Sequence, residues 1–327
     1  MQVGKISESV LKRSVLKPIK KNRPEVLVGA AVGEDCSALK LSAEDVLVLS
    51  ADPITGTVQD MGKLAVQITA NDLASSGAKP LGVMLTVLLP EDCEEAELKE
   101  LMKEISARCD ALNMQILGGH TEVTRVVNQP LISVTGVGSV KEGRLVRSSG
   151  VKPGMDILLT KTIGLEGTAI LAGEKEAELL TRFSQRFVDT AKAFAEQISV
   201  VEEGLLAAEY GVGAMHDVTE GGIFGALWEI AEASKVGLEI DLLKIPVKQE
   251  TIEICEFFGV NPYGLISSGS MLMAAEDGNG LVMELAKHGI PATIIGKATA
   301  GNDRVLWNQD EKRFLEPPKT DELYKVV

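Results

Sequence analysis

The stretch Asn71-Asp-Leu-Ala-Ser-Ser-Gly-Ala-Lys-Pro80 decides the fold, because it carries the chain out of a helix and into a strand. Before and through its first half, Met61 to about Ser76 reads as helix. After it, Val83-Met-Leu-Thr-Val-Leu-Leu89 is a continuous apolar run and reads as a buried strand. Working outward, Val46-Leu-Val-Leu49 is an earlier strand. Beyond Pro90, Asp92 and Glu95 make a capping-box-like start to a helix. Its apolar face is Leu98, Leu101, Met102, Ile105, Cys109 and Leu112, spaced as i, i+3, i+4, i+7. Met114-Gln-Ile-Leu117 is a short strand running into Gly118-Gly119, and Leu131 to Val140 is another, with Gly136 and Gly138 inside it. Ser148-Ser149-Gly150 and Lys152-Pro153-Gly154 then break the pattern and divide the chain into residues 1–150 and 151–327.

The second half repeats the alternation. Asp156-Ile-Leu-Leu-Thr160 is a strand, Gly164 opens a helix, and a long helical region spans Glu176 to Tyr210. His216-Asp217-Val-Thr-Glu-Gly-Gly222 leads into a helix with Ile223, Leu227 and Ile230 on one face. Strands and helices continue to Thr293–Ile295, with no internal repeat at the level of residues. The expected fold class is α/β and α+β, in two halves of similar size.

Composition limits the partners. The 327 residues include 33 Lys+Arg and 47 Asp+Glu, a net charge of −14, with 45% hydrophobic and 24% charged residues. That is a chain with a full core, not a disordered or collagenous one. Acidity argues against nucleic acid and anionic membranes, and 7 Phe, 3 Tyr and 2 Trp are too few for base-stacking platforms. The longest apolar stretch, Leu81 to Leu89, is too short to span a bilayer, and no secretory signal is present, so a soluble cytoplasmic protein is expected. Cysteines at 36, 93, 109 and 255 form no metal-binding pair; Cys109 is expected to pack in the core. Residues 1–24 carry seven basic residues against Glu8 alone, a local +6 read as a solvated arm.

Carboxylates and glycines cluster at strand ends: Gly33-Glu-Asp35-Cys-Ser37, Asp52-Pro53, Asn71-Asp72, Gly118-Gly-His-Thr-Glu122 and His216-Asp-Val-Thr219. Strand ends are where open α/β sheets build sites. Converging carboxylates repel unless a divalent cation lies between them, and Mg²⁺ carrying substrate phosphates is the usual occupant. Taken singly, each motif has a plainer reading. Asp35 and Asp52 suit turns, Asn71-Asp72 suits an exposed helix face, Gly118-Gly119 a tight turn, and Asp217 and Thr219 the cap of the Gly221 helix. His120 and His216 each suit a buried, hydrogen-bonded histidine.

In this order, the motifs resemble the family of ATP-dependent enzymes that includes aminoimidazole-ribotide synthetase, selenophosphate synthetase, thiamine-monophosphate kinase and the hydrogenase-maturation protein HypE. The likeness to HypE-like, aminoimidazole-ribotide-synthase-related proteins runs nearly end to end. It covers Val26–Asp35, Ser50–Gly56, Gly62–Ala65, Asn71–Pro80, Gly118–Val123, Gly164–Thr168 and Asp217–Gly222. The resemblance implies a two-domain PurM-like architecture. An N-terminal sheet would join that of a second copy in a dimeric β-barrel, and an α+β domain would follow. It implies ATP and Mg²⁺ as cofactors, an unidentified small substrate, a homodimer, and a protein of a maturation complex as a further partner. Carried over by residue, Asp35, Asp52, Asp72 and Asp217 would bind metal. Lys5, Gly33, Asn71, Gly118, Gly119, Thr121, Thr219, Gly221 and Gly222 would line the nucleotide site. His120, Glu122 and Asp72 would be catalytic. The implied chemistry is activation of an amide- or carboxamide-type oxygen, or phosphoryl transfer.

The sequence also departs from the family. HypE ends in a cysteine that carries the carbamoyl group, whereas this sequence reads Asp-Glu-Leu-Tyr-Lys-Val-Val327; Glu220 stands where an Arg is usual, and His120 where an Asp is. Cys36 follows the Asp instead of taking the place of a selenophosphate synthetase's reactive residue, and is expected to pack. Two other functions are compatible with these departures: a non-catalytic nucleotide-binding partner of a maturation complex, and a thiamine-monophosphate-kinase-like enzyme.

Overall fold

The structure, a computed structural model, describes residues 4–5, 10–20, 23–28, 30, 38–54, 60–317 and 320–327. Two compact units are formed, residues 1–74 with 78–145, and residues 75–77 with 146–327. The division after Leu145 falls just before the Ser148–Gly154 break.

Unit one is a five-stranded sheet of β1 (Gly4–Lys5), β4 (Asp45–Ile54), β5 (Lys79–Leu89), β6 (Gln115–Val123) and β7 (Leu131–Lys141), in the order β1-β6-β5-β7-β4. β2 (Val26–Val28) and β3 (Ala38–Leu39) form a separate ribbon. β5 and β6 are parallel and joined by helix α2 (Glu95–Ala111); the other pairings are antiparallel. The start of α2 is corrected by two residues: Glu94 is the N-cap, and its N–H donates to Glu97 Oε2 at 2.6 Å. Cys109 packs on the buried face of α2 as expected, and burial pushes its thiol up to about 12.

Helix α1 (Met61–Ser75) lies on the face of the sheet that β4 covers with Val46, Val48, Ser50 and Asp52. β7 meets it with glycine. A Cβ on Gly136 would lie against the Thr69 methyl and 3.1 Å from Leu73 Cδ1, and one on Gly138 would lie 3.3 Å from Leu73 Cδ2. The opposite face carries Leu47, Leu49 and Met84, which are 48%, 60% and 37% exposed.

Two corrections concern strands. β4 is not over at Asp52 but runs to Ile54, so Asp52 is a strand residue and not a turn residue. Gly118-Gly119 is not a turn either. β6 continues through it to Val123, and a bulge pairs Val83 with Ile116 but Met84 with Gly118.

The basic arm is not simply solvated. A short helix, Leu11–Leu16, lies along α2: Arg13 forks onto Glu95 with both bonds at 2.5 Å, Lys20 pairs with Asp110 at 2.5 Å, and Ser106 Oγ donates to Pro18 O at 2.6 Å. The Arg13 guanidinium holds the Glu95 carboxyl well below the usual carboxylate range.

Unit two is a seven-stranded sheet, β14-β13-β10-β12-β8-β11-β9, of β8 (Asp156–Thr160), β9 (Ala214–Val218), β10 (Gly237–Asp241), β11 (Ser270–Ala275), β12 (Ala292–Thr299), β13 (Arg304–Asn308) and β14 (Glu311–Phe314). The long helical region resolves into separate helices: α4 (Glu176–Leu179), α5 (Gln185–Lys192) and α6 (Val201–Tyr210), after α3 (Leu165–Glu174). Ser184 restarts the chain as the N-cap of α5, accepting the Phe187 N–H. Helices α7 (Gly222–Ser234), α8 (Gln249–Phe258) and α9 (Gly278–Lys287) complete the unit. Ile223, Leu227 and Ile230 of α7 pack with Ile157, Leu159 and Leu272. Ala207 of α6 and Leu281 of α9 pack with Leu158, Met271 and Met273 on the other side. Covered on both faces, β11 is buried at every residue, which is why Met271–Ala275 is apolar without a break. Among the described residues, no helix is long and apolar enough to cross a membrane.

The glycine contact is testable by unfolding. Gly136→Ala is expected to destabilise unit one by about 1–3 kcal/mol through overpacking. Gly143→Ala, with nothing within 4 Å of the added Cβ, is expected to stay within about 0.5 kcal/mol of the unsubstituted protein in denaturant titration.

Candidate functional site

In unit one the candidate residues fall into two groups. The first joins β4 to α1: Ser50 Oγ donates to Asp72 Oδ2 and stands 3.3 Å from Asp52 Oδ2. One hydroxyl therefore gathers two half-buried carboxylates. Asn71 is not on an exposed helix face. It is 1% exposed, and its Oδ1 accepts from Gln67 Nε2 at 2.6 Å, with Arg108 donating to Gln67 Oε1 in turn.

The second group lies along β6. His120 Nε2 is 3.1 Å from Glu122 Oε2, with side chains 48% and 35% exposed, so His120 is not a buried histidine. Thr121 is buried, and Lys5 of β1 is in register with Glu122. The register separates the groups. His120 pairs with Thr86, Thr86 with Ser133, and Ser133 with Pro53. These four share one face of the sheet, so Asp52, one residue from Pro53, faces the other way. His120 and Glu122 thus share the face of exposed Leu49, while Asp52 lies on the face that packs against α1, where Asp72 of that helix meets Ser50. Gly33 and Asp35 lie outside the described residues, as does Cys36.

In unit two, β9 delivers Asp217, which is 7% exposed and whose Oδ2 lacks a hydrogen-bond partner among the described residues. His216 Nε2 is 2.9 Å from Glu229 Oε2, and its Nδ1 is 3.8 Å from Asp217 Oδ1. Burial lowers the basicity of His216, but the interactions with Asp217 and Glu229 outweigh it and push the imidazole up to about 9. Neither Asp217 nor Thr219 caps α7 through its side chain. Gly221 is the N-cap, at φ 80°, and the Thr219 carbonyl accepts the Gly222 N–H at 3.0 Å. A Cβ on Gly222 would lie 2.6 Å from Tyr263 O and 2.8 Å from Leu265 O, at φ 60°, so this loop requires glycine.

Three further residues belong here that the sequence did not single out: Glu166, Ser268 and Asp321. Glu166 is 4% exposed and accepts the Ser268 N–H at 3.3 Å. Burial pushes its carboxyl up to about 6; the Ser268 bonds oppose this, and the charges of Asp321 and Asp217 add to it. Ser268 is buried beside it, at 1% exposure. Asp321 accepts three backbone N–H groups, from Gly221 at 2.6 Å, Leu323 at 2.8 Å and Ile266 at 3.2 Å. Glu166 stood within the quoted Gly164–Thr168 motif, its only signal; Asp321 had none.

Oxygen donors of this kind suit a hard divalent cation. Asp52 with Asp72, and the orphaned Oδ2 of Asp217, have the right chemistry. Among the described residues no three potential metal-ligating His, Cys, Asp or Glu side chains converge.

Comparison with known proteins gives a consistent result. A family model described as AIR synthase related protein, N-terminal domain, matches residues 33–140, and its C-terminal-domain counterpart matches residues 152–308. The chain is 30% identical over 332 residues to a putative hydrogenase expression/formation protein of Methanocaldococcus jannaschii, spanning 99% of this chain and 97% of that protein. It is 30% identical over 265 residues to carbamoyl dehydratase HypE of Cupriavidus necator, spanning 78% of this chain and 73% of that one. A crystal structure of HypE in complex with ATP has the same fold, with a TM-score of 0.78 at 20% identity over 98% of this chain and 97% of that one. The expected two-domain α/β and α+β architecture is borne out.

The buried carboxyl of Glu166 makes a pH-dependent prediction. Its value of about 6 in the fold lies above the ordinary 4.5, so its contribution is fully present below pH 4.5 and is lost as pH rises through 6. Glu166→Gln is expected to raise unfolding stability at pH 7.5 by about 1–2 kcal/mol, with the gain vanishing near pH 4.5. Thermal unfolding at the two pH values checks it.

Proposed function

This chain belongs to the AIR synthase related family, and from that membership we propose that it is a HypE-like, ATP- and Mg²⁺-dependent enzyme of the dehydratase or synthetase type. Its substrate would be an amide- or carboxamide-type group, in hydrogenase or metal-centre maturation. The observation that carries the reading is the meeting of Asp52 and Asp72 at one serine hydroxyl, within a chain alike over most of its length to a carbamoyl dehydratase.

Asp52 and Asp72 would hold the cation, with the Ser50 hydroxyl fixing the orientation of Asp72. Asp35 and Asp217 would complete the ligand set. The β6 segment Gly118–Thr121, with Asn71, Lys5 and Gly33, would shape the nucleotide site, as would Thr219, Gly221 and Gly222 in unit two. ATP with Mg²⁺ supplies a phosphoryl group that converts a poor leaving oxygen into a good one. The exposed, hydrogen-bonded His120–Glu122 pair would take up a proton only from a substrate held on its own face of the sheet, not from one held at Asp52 and Asp72 of the same copy.

Self-association is proposed for the exposed apolar face of the unit-one sheet. Leu47, Leu49 and Met84 form an apolar sheet surface, and a second copy of this chain is its proposed cover. A protein of a maturation complex is the proposed further partner.

Calorimetry with ATP and Mg²⁺ tests the site: Asp72→Ala is expected to weaken binding by about 100-fold, on the scale of disrupted metal sites, and chelation of the metal to do the same. Unchanged binding in Asp72→Ala would remove Asp72 from the site. Leu49→Lys is expected to shift the mass seen by light scattering from dimer to monomer without unfolding the chain; a monomeric parent protein would overturn the dimer.

A further inference from the structure

Gln67 and Asn71 stand four residues apart on α1, and both are buried, at 0% and 1% exposure. An amide side chain has nearly the same shape either way round, so its partners decide which end faces where. Here the deciding partner is Arg108 of α2. A guanidinium carries donors only, so the end of Gln67 that meets Arg108 Nη2 is its oxygen, Oε1. That leaves Gln67 Nε2 on the side of Asn71, 2.6 Å from Oδ1. With Oδ1 committed to accepting, Asn71 turns its NH2 away from the relay. Each amide thus points its negative end toward the guanidinium and its positive end away, and hydrogen bonds in such a chain polarise one another. The positive end of the chain is the Asn71 NH2.

We propose that Arg108 and Gln67 are positioning residues of the nucleotide site: they set the Asn71 amide so that its NH2, and not its oxygen, meets a phosphoryl oxygen of the nucleotide. This rests on the place given to Asn71 in the nucleotide site proposed above, and it adds what Asn71 contributes there and what dictates it.

The neighbouring side chains explain why this polarity matters. Asp52 and Asp72, gathered at the Ser50 hydroxyl, offer a cation acceptor oxygens only. Phosphoryl oxygens are acceptors too, so these carboxylates hold a phosphate only through the cation. A donor next in sequence to Asp72 gives the phosphate a direct, charge-assisted bond. An Asn71 oxygen in the same place would add one more acceptor to a site already rich in them. Reversal is blocked within the relay. Turning Asn71 alone sets its NH2 against Gln67 Nε2, and turning Gln67 as well sets an NH2 against the guanidinium, donor against donor in each case. Neither Arg108 nor Gln67 needs to touch the nucleotide to act on it.

Calorimetry with Mg·ATP on the full chain tests this through Gln67→Glu. The new carboxylate keeps the pairing with Arg108 but has no proton to give Asn71 Oδ1, so Asn71 turns its NH2 inward. Binding is expected to weaken about tenfold, the scale of one hydrogen bond to a charged group. Added negative charge alone would also weaken binding, and a double-mutant cycle with Asn71→Ala separates the two effects. Asn71→Ala is expected to cost about tenfold in the parent chain and less than about twofold in the Gln67→Glu background, because the reversed amide no longer serves the phosphate. Equal costs in the two backgrounds overturn the inference and leave the nucleotide reading standing. If Gln67→Glu does not fold, Arg108→Glu carries the same cycle, since its carboxylate draws the Gln67 NH2 to itself and reverses the relay from the other end. Mg·ATP bound equally by the parent and by Asn71→Ala removes Asn71 from the site and overturns the inference, while the remaining nucleotide residues stand. A parent chain that binds no Mg·ATP overturns the nucleotide reading and the inference with it.

Discussion

The distance between α1 and the sheet of unit one is set by two strand glycines. At Gly136 and Gly138, Thr69 and Leu73 rest almost on the backbone of β7, where an added Cβ would leave them no room. That approach fixes the height of α1, and the height brings Asp72 to Ser50 and Asp52. The relay from Arg108 through Gln67 to Asn71 adds a buried polar link within the same unit. A relay of this sort is costly to leave half-made and therefore holds the helix to one rotation.

Much of the architecture was legible from periodicity. The α2 face at Leu98, Met102, Ile105 and Cys109 and the strands at 83–89 and 131–140 follow from spacing and apolar runs. The two strand-boundary errors have one physical source: glycine and aspartate read as punctuation. Gly118-Gly119 and Asp52-Pro53 lie within strands, because β6 absorbs its glycines in a bulge beside β5 and β4 is held to Ile54 by its ladder with β7. Local chemistry specified a turn, and neighbouring strands overrode it.

The candidate site was legible in its residue types and less so in its grouping. Motif order proposes one set of residues, whereas strand register puts His120 and Asp52 on opposite faces. Sequence gives no register, so this separation had no signal. Likewise, Asp217 and Thr219 looked like caps for α7, but the carboxylate at that helix is Asp321, from about a hundred residues further along the chain. Burial then distinguishes the two carboxylate groups. Those of unit one are half-exposed at one hydroxyl, whereas Glu166 and Asp217 are shut away with buried polar atoms, where a charge weighs far more.

The basic arm settled onto α2 has an effect at the edge of the sheet. The arm follows β1, and β1 lies against the outer side of β6 at Gly4 and Lys5. Its clamps are exposed ion pairs, of Arg13 with Glu95 and of Lys20 with Asp110, which weaken as salt shortens the reach of charge to about 8 Å at physiological strength. Loosening the arm would free the edge of β6 at Glu122 and Val123, and exposed strand edges are where chains add to one another and aggregate. Arg13 and Lys20 therefore bear on solubility as well as on packing, by helping to hold the segment next to the β6 edge at Glu122 and Val123.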